Sequence, residues 1–300
     1  MKCWPSLEPF GKNLPLSGGS LFYYDSKGDG NSKENNSNKQ TVVLIHGLGD
    51  EADTWRYLFP ALSDAGYRVI APDLPGFGRS IWKGRISVSL HCRIVLRLLA
   101  MANVFAEKPA VLIGSSLGAG IAELVAAKRP DLVKDLILIG GCFPYKDKPG
   151  KSEKRLMMPF IGKNWYRAFR SNHETAWKSL YPYYGNLYTM SNTDKEFLRE
   201  RVIARVESTN QEKGFFSTLR SMARLIVFKR NFLAKKIKNF HGKIFIVWGE
   251  RDNIFPARRA SFLRRLRPDA EFSVIAEAGH LPHQEKGDEC AAEILRMINR

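Results

Sequence analysis

Six short apolar runs punctuate the chain, at residues 41–45 (TVVLI), 67–71 (YRVIA), 110–113 (AVLI), 136–139 (LILI), 244–248 (IFIVW) and 271–275 (EFSVI). They are rich in β-branched residues and lack polar–apolar alternation, as suits strands buried on both faces, and such strands belong to parallel sheets covered by helices. The stretches between the runs supply those helices, expected near residues 53–65, 88–105, 117–128, 258–266 and 289–298. The fold class that follows is α/β, a mostly parallel, doubly wound sheet with helices on both faces.

About a hundred residues separate the runs at 136–139 and 244–248, far more than an ordinary connection needs. An inserted subdomain must fill that interval. Its apolar spacing is helical, in Phe197, Leu198, Val202 and Val206 and again in Leu219, Met222, Leu225 and Ile226. Charge sets the same segment apart: residues 143–241 carry 21 basic and 8 acidic residues, +13 of the chain's formal +17, and 17 of its 34 aromatic residues. The expected organisation is a core of residues 1–142 and 242–300 and a helical insertion over 143–241. A flexible loop over 25–40, rich in Gly, Asn and Ser, lies within the core. That loop's Asp25, Asp29 and Gly30 suggest a calcium site, but Lys27 stands at a ligand position and Asn36 where the bidentate Glu belongs, so no metal is expected.

Other classes fall away on composition. No apolar run approaches the roughly 18 to 20 residues that span a bilayer. The first residues contain no continuous apolar segment of the secretory kind. Cys3, Cys92, Cys142 and Cys290 are too dispersed for a zinc spacing or a disulfide framework, which makes a reducing, cytoplasmic setting the expectation. No nucleic-acid-binding module is recognisable, so the basic charge is not read as a nucleic-acid footprint.

Chemistry-bearing residues follow the runs. After 110–113 stands Gly114-Ser115-Ser116-Leu117-Gly118, a G-x-S-x-G pattern opening a helical stretch. A sharp strand-to-helix turn needs small flanking residues, and it holds the central serine out at the carboxyl edge of the sheet. Serine attack needs a base, and the base needs an orienting carboxylate. After 244–248 come Glu250 and Asp252, and after 271–275 come His280 and His283. Upstream, 41–45 ends in His46-Gly47-Leu48-Gly49, and 67–71 is followed by Asp73, Gly76, Gly78 and Arg79.

With these segments in this order, the chain from Leu21 onward resembles the α/β-hydrolase superfamily, specifically its cap-bearing serine hydrolases. The resemblance implies the α/β-hydrolase fold with a helical cap inserted after the sixth strand. It also implies Ser116 as nucleophile, His280 as base, Asp252 as orienting acid, and Leu48 and Leu117 as oxyanion donors through backbone N–H groups. The segment 143–241 is then the cap, and its aromatic residues Trp165, Tyr166, Trp177, Tyr181, Tyr183 and Tyr184 would line an apolar pocket, with Trp165, Trp177 and Tyr181 expected at the substrate.

A serine rather than an aspartate at the turn points to acyl transfer to water, on an ester, thioester or amide of an apolar small molecule. Carbon–carbon bond hydrolysis of the meta-cleavage type uses the same three residues, cofactor-free perhydrolysis is a variant, and some members of the fold bind ligands with little turnover. No cofactor is expected, and the chain is read as a monomer or dimer. Gly47-Leu48-Gly49-Asp50-Glu51-Ala52, with Asp73 some twenty residues on, also fits a dinucleotide fingerprint, a reading that leaves Ser116, Asp252 and His280 without a role. The basic segment either solvates its outer face or makes weak contact with an anionic membrane surface.

Overall fold

A computed structural model describes residues 1–27, 40–143 and 159–300, without the side chains of residues 159–163, 165 and 259. Most of the loop expected at 25–40 and the first part of the insertion therefore lie outside the described residues. Asp25, placed in that loop by composition, ends a strand and pairs with Arg68 at 2.9 Å.

The strands are β1 (Gly11–Leu16), β2 (Gly19–Asp25), β3 (Thr41–Ile45), β4 (Arg68–Pro72), β5 (Ile81–Trp82), β6 (Ala110–Ser115), β7 (Val133–Ile139), β8 (Ile244–Gly249) and β9 (Glu271–Ile275). They form one sheet in the order β1-β2-β4-β3-β6-β7-β8-β9, with β5 pairing β2. From β4 to β9 every neighbouring pair is parallel; β1, β2 and β5 add an antiparallel margin.

Residues of β3, β6 and β8 are all buried, because alternate side chains enter different apolar clusters. Val43, Ile45, Leu112, Leu138 and Ile246 belong to one cluster, and Val42, Leu44, Ile113, Ile139 and Val247 to the other. The first cluster is covered by α2 (Val88–Met101) and α3 (Leu117–Lys128); the second by α1 (Leu58–Asp64) and the C-terminal α10 (Gly287–Ile298). Truncating a fully buried leucine such as Leu112 to alanine costs about 2–5 kcal/mol in such a setting.

Between β7 and β8 come α4 (Pro159–Ser171), α5 (His173–Lys178), α6 (Asn192–Glu207) and α7 (Thr209–Lys238). Ser191 and Ser208 start α6 and α7 by accepting from the N–H groups of Asp194 and Gln211. These helices have apolar clusters of their own, one around Tyr166, Phe169, Val202 and Phe216, another around Trp177, Tyr184, Leu187 and Leu198. α7 bridges the two regions: Phe216 sits in the small cluster, Leu233 and Ile237 in the sheet's large one. The chain ends with α8 (Ser261–Leu266), α9 (Pro282–Glu285) and α10. Among the described residues no helix is long and apolar enough to cross a membrane.

Differences from the sequence expectation are local. The insertion follows the seventh strand in chain order; the two-residue β5, at the margin, accounts for the offset from the sixth. β9 is an edge strand with Val274 exposed, not one buried on both faces. The helices expected near 53–65 and 258–266 each begin with a 3-10 turn, at Ala52–Trp55 and Ala257–Ala260.

Candidate active site

The turn from β6 into α3 is fixed by contacts that exclude side chains. A Cβ on Gly114 would lie 2.3 Å from Gly118 C, and one on Gly118 would lie 1.9 Å from Ile45 O. Ser116, between them, has φ 52° and ψ −111°. A non-glycine residue held there costs on the order of 1–3 kcal/mol, so the surrounding hydrogen bonds must impose it. Ser116 N donates to Ile139 O at 2.8 Å, and Ser116 O accepts from Ala119 N at 3.1 Å. Ser115 is buried with its Oγ unpartnered among the described residues, whereas Ser116 is partly accessible.

Asp252 follows β8 and His280 follows β9. His280 Nδ1 lies 2.8 Å from Asp252 Oδ2, both side chains being buried. The other carboxylate oxygen, Oδ1, accepts from Ile254 N at 2.9 Å and Phe255 N at 2.8 Å, so the carboxylate cannot rotate away from the imidazole. With Nδ1 engaged by Asp252, the opposite ring nitrogen, Nε2, is the one left for a reacting group. The loop carrying the imidazole is pinned as well: His280 N donates to Tyr183 O at 2.8 Å, and Gly279 N to Glu285 Oε2 at 2.7 Å.

Gly140 and Gly141, at the end of β7, lie against both His280 and Ser116. A Cβ on Gly140 would come 3.2 Å from His280 Nδ1, and one on Gly141 would come 2.9 Å from Ser116 Cα. His283 stands apart from this group. Its Nε2 lies 2.9 Å from Thr54 Oγ1, its ring packs 4.5 Å from that of Trp55, and burial pushes its pKa down to about 3. Glu250, the other acid after β8, accepts from Glu277 N.

The turn after β3 approaches Ser116 from the other side. A Cβ on Gly47 would lie 3.6 Å from Ser116 Cβ. Gly47 O accepts from Asp50 N at 3.4 Å and contacts His46 Nδ1 at 2.7 Å, while His46 Nε2 accepts from Leu74 N at 2.9 Å. Those partners assign the proton to Nδ1, and burial, which lowers the pKa of His46, keeps the ring neutral. In a planar trans peptide the N–H points opposite the C=O, so Leu48 N–H faces away from His46 and Asp50. As the first residue of α3, Leu117 has an N–H with no carbonyl one turn earlier to receive it.

Asp73 and Arg79 brace this turn. Arg79 Nε donates to Asp73 Oδ2 at 2.7 Å, its NH2 pairs with Asp53 Oδ2 at 2.6 Å, and its guanidinium stacks 4.0 Å from the ring centroid of Phe22. Asp73 also accepts from Ala52 N at 2.7 Å. The group that a dinucleotide fingerprint would offer to a ribose is thus spent on Arg79 and Ala52, and Ala52 opens a four-residue 3-10 turn rather than an α-helix. Among the described residues no cluster of His, Cys, Asp or Glu could hold a metal.

The inserted helices reach into the same region. Arg205 of α6 binds Glu51 with two bonds of 2.7 Å and also pairs with Asp50, the carboxylates just past the His46–Gly49 turn. Gln211 Nε2 of α7 donates to Gly49 O at 3.0 Å, and its Oε1 accepts from Gly78 N at 3.1 Å. Composition gave no hint of these two. Of the aromatic residues expected near the site, Tyr183 has its ring 5.9 Å from that of His280, and Phe255, not anticipated, lies at 5.5 Å. Trp177 is instead packed among Tyr184, Leu187, Met190 and Leu198, and Tyr181 is exposed with its hydroxyl 3.4 Å from that of Tyr188. Neither is placed at His280, because each is engaged within the inserted segment. The side chain of Trp165 lies outside those described.

Residues 40–287 match the family described as the alpha/beta hydrolase fold. The uncharacterized hydrolase YugF of Bacillus subtilis (strain 168) is 25% identical over 264 residues, 88% of this chain and 91% of that protein. A 2-hydroxy-6-oxononadienedioate/2-hydroxy-6-oxononatrienedioate hydrolase of Paraburkholderia phymatum is 25% identical over 269 residues, 87% of this chain and 88% of its own. Among solved structures, a serine hydrolase from the polyaromatic-hydrocarbon-degrading bacterium Cycloclasticus zankles superposes with a TM-score of 0.76 at 17% identity, covering 96% of this chain and 97% of that one, a likeness of fold.

Proposed function

Because the chain belongs to the α/β-hydrolase fold family and is a hydrolase of that fold, we propose that it cleaves a carboxylic ester, thioester or amide through an acyl-serine intermediate. Ser116 Oγ attacks the carbonyl carbon as its proton passes to His280 Nε2. Asp252 holds Nδ1–H and stabilises the imidazolium. Leu48 and Leu117 N–H groups receive the carbonyl oxygen as it becomes anionic. When the carbon–leaving-group bond breaks, His280 returns its proton to the departing oxygen, sulfur or nitrogen. Water then attacks the acyl-serine, gives its proton to Nε2, and Ser116 leaves with that proton restored.

The observation that carries this reading is the His280–Asp252 pair at 2.8 Å, set beside Ser116 across Gly140 and Gly141. The inserted helices act as the cap. The rings of Tyr183 and Phe255 beside His280 suit an apolar acyl group, and the buried Arg56 and half-buried Arg205 are already taken up by Asp194 and by Asp50 and Glu51. An uncharged substrate fits such a site better than a carboxylate-bearing one. The Paraburkholderia relative favours a second reading, hydrolysis of a carbon–carbon bond in a meta-cleavage product, which the same three residues would serve.

A chain-length series of p-nitrophenyl esters, run beside a meta-cleavage diketone, separates the two. Esters longer than acetate should show the higher kcat/KM, and Ser116→Ala should lose on the order of 10⁴-fold in kcat. Turnover of the diketone without the esters would move the assignment to carbon–carbon chemistry. Ester turnover retained by Ser116→Ala would remove Ser116 from it, and no turnover of either class by wild type would point to a binding role.

A further inference from the structure

The longest helix leaves part of its length uncovered. α7 runs 30 residues, and in its second half Val227, Phe228 and Phe232 are 67%, 76% and 52% exposed. Among the described residues, three of the ten exposed large hydrophobic ones thus fall within six positions of one helix. The helix is not loose there. Leu233 and Ile237 are buried in the sheet's core, and Arg267 donates to Ile237 O at 3.2 Å and Phe240 O at 2.8 Å, which fixes how the outer face is presented.

Charge on that face has one sign. Residues 213–249 hold nine Lys and Arg and no Asp or Glu. At about 100° per residue, Arg224, Phe228, Phe232 and Lys235 fall within a quarter turn of one another, with Lys236 on one flank and Val227 on the other. All six are exposed, and among the described residues none of these cations forms an ion pair; Lys236 Nζ lies 5.8 Å from the ring centroid of Phe232. Arg264 and Arg265 on the adjacent α8 are exposed too.

We propose that the outer face of α7 from Arg224 to Lys236 docks on an anionic lipid bilayer, with Phe228, Phe232 and Val227 entering the headgroup boundary and the lysines and arginines paired with lipid phosphates. Exposed aromatic and aliphatic side chains ringed by cations, without an acidic residue, match the chemistry of that interface. A nucleic acid shares the charge preference, but a convex single helix offers no groove for its backbone to follow. The docking does not rest on the proposed hydrolysis, since none of these residues lies at Ser116, Asp252 or His280.

The test is flotation of the full chain with phosphatidylcholine vesicles, with and without phosphatidylserine. Binding is expected only with phosphatidylserine and should weaken between low salt and ~0.15 M. Arg224→Gln, Lys235→Gln and Lys236→Gln together should lower the partition coefficient about fivefold per charge. Phe228→Ser with Phe232→Ser should lower it roughly tenfold or more at an unchanged melting temperature, with hydrolysis of a short soluble ester unaltered. Ser116→Ala should bind vesicles as wild type does, which keeps the docking and the chemistry separately testable. If the serine pair lowers the melting temperature, Phe228→Trp with acyl-brominated lipids reads insertion directly through quenching. No binding at low salt, equal binding to neutral vesicles, indifference to both sets of substitutions, or capture of a single-stranded oligonucleotide in place of vesicles would each overturn the proposal, as would an unquenched Phe228→Trp.

Discussion

The turn that carries Ser116 and the helices inserted after β7 are held to the sheet in opposite ways. Around Ser116 the restraint is steric, because Gly114, Gly118, Gly140 and Gly141 leave no room for a Cβ and the backbones meet directly. The inserted helices are held by buried charge, through Arg205 with Asp50 and Glu51 and through Arg56 with Asp194 at 2.6 Å. Close backbone packing fixes position by shape alone, without any charge to be neutralised. An ionic clamp fixes it only while both partners are present, since a lone buried charge destabilises strongly. The first arrangement suits atoms that must stay in register for chemistry, the second an element that seats on them from a distant part of the chain.

The contrast is broken most sharply in the site itself. His280→Ala should reduce kcat on the order of 10⁴-fold while far-UV circular dichroism and melting stay close to wild type. His283→Ala, three residues away, should do the reverse, lowering the melting temperature and sparing most of kcat, because His283 meets Thr54 and Trp55 rather than Asp252. Equal losses of activity in the two variants would dissolve the distinction.

Next in size is the clamp. Arg205→Ala leaves Asp50 and Glu51 buried without their cation and should cost about 3–5 kcal/mol in urea unfolding. Removing Arg199, on the same helix as Arg205 but in an exposed pair with Glu174 of α5, should leave the unfolding curve where it is. If the two variants unfold alike, buried charge is not what seats the inserted helices.

The smallest effect is a slope. Burial pushes His91 and His283 down to about 3, against an ordinary value near 6.5. Between those values the unfolded chain takes up a proton that the native protein refuses, so native stability falls as pH drops below about 6.5. Each histidine contributes about 1.4 kcal/mol per pH unit within that window. His91 bonds Thr218 of α7 at 2.9 Å, so His91→Gln should flatten the dependence measured by urea unfolding between pH 6.5 and 5. A slope unchanged by that substitution would show that His91 is protonated in the native state.

The same contrast explains what was legible in the sequence. The β6 turn could be read because its restraint is local: a buried run, two glycines and a serine within five residues, then a helix. β3 and β9 were bounded correctly from their apolar runs. β1 was not seen because it is half exposed, contains Pro15 and pairs only with β2, and β5 is two residues long. Arg205 finds its partners about 155 residues away, which no local pattern encodes. A trace was present nonetheless: Leu198, Arg201, Val202, Arg205 and Val206 keep the spacing of an inward helical stripe, and both arginines on it point inward. An aromatic count could not tell Tyr183, beside His280, from Trp177 and Tyr181, because residues of the same type within a few positions face different neighbours.

The central claim, that Ser116 is the nucleophile and His280 activates it, meets its most direct test in covalent labelling. A fluorophosphonate probe reacts with an activated serine, and peptide mass spectrometry locates the adduct. The account predicts one modified residue, Ser116, with labelling abolished in Ser116→Ala, strongly slowed in His280→Ala and preserved in Ser115→Ala. An adduct on Ser115 or elsewhere, or labelling of Ser116 that proceeds at the wild-type rate without His280, would contradict it.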